Sequence, residues 1–69
     1  MNPKITVELT ETIPDDASVR HYDELEHGAK QRFPNVVEHG EQNIDVKTAL
    51  QFRDGEFVKY TDYYRVLLA

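Results

Sequence analysis

Sixty-nine residues bound this chain to one small domain, near the lower size at which a single core suffices, with a net stability of about 3–5 kcal/mol. The absence of cysteine excludes a disulfide framework, thiolate metal sites and thiol catalysis, and suits a reducing cytoplasm. Thirteen acidic residues against eight basic ones, a formal charge of −5, repel a phosphate backbone overall and disfavour sequence-independent nucleic-acid binding.

Met1-Asn2-Pro3-Lys4 leads directly into an alternating stretch, so no secretory leader is expected. Apolar runs stop at two residues except in Val66-Leu67-Leu68-Ala69. That is far short of the roughly 20 residues a membrane span requires, and no membrane partner is expected. Residues 4–11 alternate strictly, with Ile5, Val7 and Leu9 on one side and Lys4, Thr6, Glu8 and Thr10 on the other, which predicts a half-buried strand.

Thr12-Ile13-Pro14-Asp15-Asp16 breaks the alternation and supplies helix N-caps at Asp15, Asp16 or Ser18. A helix is predicted from about residue 17 to residue 33, because Val19, Tyr22, Leu25, Ala29 and Phe33 fall within an arc of about 120° at helical spacing. Gly28 weakens such a helix and Pro34 ends it, since the residue before a proline is driven out of the α region. Glu26, inside the apolar arc, is read as a rim residue reaching Lys30 one turn on. Residues 34–43 read as connection, with Val36-Val37 as a short strand or buried anchor and turns at Gly40 and Asn43.

Residues 44–68 hold most of the large apolar residues. Ile44, Val46, Leu50 and Phe52 occupy even positions, as do Val58, Tyr60, Tyr64, Val66 and Leu68. A two-residue loop at Asp54-Gly55 would oppose even to odd positions and split these rows between two faces. A three-residue loop, Arg53-Asp54-Gly55, with Gly55 left-handed, keeps them together and sets Leu50 opposite Val58, Thr48 opposite Tyr60 and Ile44 opposite Tyr64. An interruption is expected at Thr61-Asp62, making Tyr63 to Leu68 a separate last strand.

The predicted architecture is a single α+β domain over residues 1–69. It has a mixed three- to four-stranded sheet in β-α-β-β order, with the helix of about 17–33 packed on one face. A right-handed crossover joins 4–11 to 44–53. The opposite face receives Phe57, Lys59, Tyr63, Arg65 and Leu67, together with Ala49, and is the predicted binding surface.

Specific chemistry finds little support. Glu24 and His27 have the spacing that puts a carboxylate and an imidazole on one helical face, but His21 lies about 120° away and His39 sits in a loop, so no metal site is assigned. With no cysteine, one serine at a helix start and no glycine-rich phosphate loop, neither a catalytic residue nor a cofactor is assigned. The first functional reading is a small acidic, non-enzymatic interaction module whose open face meets a protein partner or a second copy of itself. The alternative is a nucleic-acid binder that uses Lys59, Tyr63 and Arg65 with Lys47 and Arg53. A third reading is an acidic decoy that presents Asp15, Asp16, Asp23, Glu24 and Glu26 to a nucleic-acid-binding protein.

Overall fold

In the computed structural model, which describes residues 3–69, β1 (Lys4–Thr10) forms where the alternation placed it. The reading of the N-terminus rests partly on Met1 and Asn2, which lie outside the described residues. Four further strands follow: β2 (Val19–His21), β3 (Glu41–Asn43), β4 (Phe57–Lys59) and β5 (Tyr63–Leu68). They make one mixed sheet in the order β2-β4-β5-β1-β3, in which only the β2/β4 pair is parallel. The main helix, α1 (His27–His39), and a single turn of helix, α2 (Val46–Ala49), complete an α+β fold.

One face of the sheet carries the core. Ile5, Val7, Val58 and Val66 meet Ala29, Phe33 and Val36 of α1, with Leu25, Ile44 and Phe52 closing the sides. Phe33 is fully buried and lies 5.8 Å from the Tyr60 ring and 6.0 Å from the Tyr64 ring, both edge to face, an arrangement favoured by the ring quadrupoles.

The helix is displaced from its predicted span. Residues 19–21 are strand, Tyr22–Glu24 form a 3-10 turn, and α1 begins at His27. Arg20 decides this. Its Nε and Nη2 donate to both carboxylate oxygens of Glu56 at 2.8 Å, and Nη2 also donates to the Gln51 carbonyl at 2.9 Å. Glu56 is buried and takes a further hydrogen bond from the Arg53 N–H. A bidentate pair of this kind holds residues 19–21 extended beside β4, which a helix over the same residues would forbid.

Pro34 lies inside α1 instead of ending it. Proline has no N–H for the carbonyl four residues back, and the orphaned Lys30 carbonyl accepts the Tyr22 hydroxyl at 2.9 Å. The helix start is also satisfied from outside, because the Ala29 N–H donates to Oε1 of Gln51 at 2.7 Å. A Cβ on Gly28 would stand 2.9 Å from that oxygen. Val36 is a buried anchor as expected, but within the helix, and Gly40 ends α1 at φ 84°. Glu26 stands at the N-cap, and Lys30 pairs with Asp23 at 3.8 Å.

The predicted strand over 44–53 does not form. Ile44, Thr48, Ala49 and Phe52 turn inward at helical spacing, while Val46 and Leu50 are exposed, so the pairings of Leu50 with Val58, Thr48 with Tyr60 and Ile44 with Tyr64 are not made. Consequently β1 has no parallel crossover to this segment; it pairs antiparallel with β5 and β3. Gly55 does take the left-handed conformation, at φ 84°. It does so not in the expected three-residue hairpin loop but in a β-turn with only Asp54 and Gly55 between its ends, closed by the Glu56 N–H on the Arg53 carbonyl at 3.2 Å. That turn docks on β5: the Gly55 N–H donates to Val66 O, the Val66 N–H to Glu56 O, and the Leu68 N–H to Asp54 Oδ1. The hairpin lies one step later, between β4 and β5, with Lys59 opposite Tyr63 across the expected break at Thr61-Asp62.

Gly55→Val should therefore lower stability by about 1–3 kcal/mol in urea unfolding, because a β-branched residue is strained at positive φ. Gly55→Asn should cost markedly less, since asparagine tolerates that region. Tyr22→Phe should cost about 1 kcal/mol by stranding the Lys30 carbonyl. On a Pro34→Ala background, where the restored N–H takes that carbonyl, the same substitution should cost less than half as much.

Candidate functional site

Residues directly opposite in a sheet share a face, so the register lays out the uncovered side row by row. Val19, Phe57, Arg65 and Glu8 form one row across β2, β4, β5 and β1. His21, Lys59, Tyr63 and Thr10 form the next, and Leu67, Thr6 and Glu41 a third that reaches β3. Phe57, Lys59, Tyr63, Arg65 and Leu67 thus lie together on the face away from α1. Ala49 does not join them; it sits in α2 and packs against the core.

This face is mixed in character. Phe57, Leu67 and Val19 are half-buried by their neighbours, while Tyr63 keeps 38% of its surface exposed. The Lys59 ammonium stands 4.7 Å from the Tyr63 ring centroid and covers one side of that ring. Lys4 is paired with Glu41 at the β3 edge. Arg65 and Glu8, opposite one another at the centre of the sheet and both exposed, make no ion pair with each other. Lys59 and Arg65 therefore lie on β4 and β5 and Glu8 on β1, while Lys4 and Glu41 offset each other at the β3 edge.

The other predicted groups are dispersed. Lys47 lies in α2 and Arg53 in the turn before β4, so neither joins Lys59, Tyr63 and Arg65 on the open face. Asp15 and Asp16 lie on the β1–β2 connection, Asp23 and Glu24 in the 3-10 turn, and Glu26 at the start of α1, all exposed. Glu24 is held locally by the His21 N–H at 2.8 Å. His21, His27 and His39 are exposed, and no group of three or more metal-binding side chains gathers among the described residues. No cavity opens among them either. On the helix side, Asp45 precedes α2, and its carboxyl is held below its ordinary value chiefly by the Thr48 side chain.

Glu8 is the central residue of this face that sequence reasoning left unassigned. Its outward position was legible in the alternation of residues 4–11. Its place beside Arg65 was not, because that depends on β1 pairing with β5.

This architecture, a five-stranded sheet with helices on one side and a bare opposite face, defines a small open-faced α+β sandwich. By sequence the chain belongs to a family of unknown function (DUF7979), whose model matches residues 2–67. No curated protein and no solved structure matches it. Among the described residues no helix is long and apolar enough to cross a membrane.

The Lys59–Tyr63 contact is measurable in the isolated chain. A double-mutant cycle with Lys59→Met and Tyr63→Leu should return a coupling of about 0.5–1 kcal/mol, the range for an exposed cation–π pair.

Proposed function

We propose that this chain is a small acidic, non-enzymatic protein-interaction module that works through its open sheet face, in the cytoplasm. The observation that carries the reading is the co-location of Phe57, Lys59, Tyr63, Arg65 and Leu67 on the one sheet face that neither helix covers. Aromatic, aliphatic and arginine side chains on one flat surface match the composition of protein interface cores. So small a domain also gains proportionally more than a large one from burying a second apolar strip.

Two features favour protein over nucleic acid as the ligand. The Tyr63 ring, the exposed aromatic on which a base would stack, already carries the Lys59 ammonium on one side. Glu8 stands where a phosphate backbone crossing to β1 would pass. An acidic-decoy role has less support, because its five carboxylates are spread over the β1–β2 connection, a 3-10 turn and a helix cap.

A photo-crosslinking amino acid placed in turn at Tyr63, Leu67 and Thr6 should form discrete protein adducts in lysate of the source cell. The same probe at Glu38 or Gln31, exposed on α1, should form few. Equal yields from both faces, or none from the sheet, would refute the assignment.

A further inference from the structure

We infer that the occupant of the open face is a second copy of this chain, packed sheet to sheet about a two-fold axis that runs along the strands between β1 and β5. The inference rests on the interaction reading above and supplies its partner. Its basis is the division of charge on the face. Lys59 and Arg65 lie toward β2 and Glu8 toward β3, where Lys4 and Glu41 pair with each other, and Arg65 and Glu8 meet at the centre as adjacent, exposed groups that form no ion pair together.

In a two-fold contact, every pairing occurs twice in reciprocal form. An axis across the strands through the Arg65–Glu8 row would lay β5 over β5 and β1 over β1, opposing Arg65 to Arg65 and Glu8 to Glu8. An axis along the strands between β1 and β5 exchanges the two halves. It sets Arg65 over the partner's Glu8 and Glu8 over the partner's Arg65, and brings Leu67 of one copy onto Thr6 of the other. Leu67 and the Tyr63 ring, set over Thr6 and Thr10 of the second copy, supply the apolar contact, while the reciprocal ion pairs fix orientation more than they add affinity. The result is an aligned two-sheet sandwich with helices outside.

Area sets the strength. About this axis four short strands about 4.8 Å apart overlap, with β2 left outside, and they present on the order of 400 Å² per copy, below the roughly 800 Å² per partner of a standard stable interface. The contact therefore falls in the small, transient class, and the dimer should dissociate on dilution.

Sedimentation equilibrium up to about 1 mM tests this on the wild-type chain and on Glu8→Arg and Arg65→Glu, each first checked for folding by circular dichroism. Each single reversal opposes like charges across the axis twice and should weaken self-association about tenfold or more. Mixing the two variants should restore association as a heterodimer, because one chain then carries two arginines at these positions and the other two glutamates. A purely intrachain effect of Glu8 facing Arg65 could not be rescued by mixing.

A wild-type chain that stays monomeric throughout overturns the second-copy inference, while face-specific lysate adducts would leave the interaction reading standing. A dimer indifferent to both reversals and to mixing overturns the proposed axis. Oligonucleotide binding at low salt that is lost with Arg65→Glu would assign the face to nucleic acid and overturn both readings.

Discussion

The fold depends on one ion pair, between a half-buried Arg20 and a buried Glu56. Glu56 has almost no contact with solvent, yet its carboxylate receives two bonds from Arg20 and one from the Arg53 backbone. Taking a carboxylate out of water costs several kcal/mol unless its lone pairs are filled, and here three donors fill them. The pair joins residues 36 positions apart in the chain. It fastens the edge strand β2 to the turn that precedes β4, and so decides that residues 19–21 lengthen the sheet instead of beginning the helix. With β2 in place, α1 starts later, and its register over the core shifts toward Phe33 and Val36.

Helix α1 shows the same dependence on distant groups. A proline eight residues into a helix ordinarily strands a carbonyl, and an uncapped N-terminus strands N–H groups. Both deficits are met from elsewhere in the chain, by the Tyr22 hydroxyl at Lys30 and by the Gln51 amide at Ala29. Gly28 leaves the room that Gln51 needs. Residues that look like helix breakers by propensity, Gly28 and Pro34, are thus tolerated because tertiary partners occupy the gaps they open.

The two faces of the sheet differ in kind because alternation along β1, β4 and β5 sorts their side chains between them. Ile5, Val7, Val58 and Val66 go inward, and Glu8, Phe57, Lys59, Tyr63, Arg65 and Leu67 go outward. Both helices then take the inward face, since only it is continuously apolar. The outward face keeps an aromatic and aliphatic strip divided by charges of both signs. That pattern suits a specific, modest contact better than an extended hydrophobic one.

The α+β class, the first strand, the separate last strand, the left-handed Gly55 and the placing of Phe57, Lys59, Tyr63, Arg65 and Leu67 on one face were legible in the sequence; the core position of Ala49, expected on that face, was not. Each legible feature is a local consequence of period-two alternation or of a backbone conformation that glycine alone adopts without strain. Less was legible in residues 17–24 and 44–53, where the apolar spacing fits a helix and a strand almost equally. There Arg20 with Glu56, and Thr48 with Ala49 and Phe52, made the choice through contacts formed only once the chain had closed on itself. Strand order was likewise beyond reach, because backbone pairing carries no side-chain signature. Along β1, β4 and β5, sequence alone therefore determined which side chains share a face; only the tertiary structure decided which strands lie side by side, and hence that Arg65 and Glu8 meet at the centre of the open sheet.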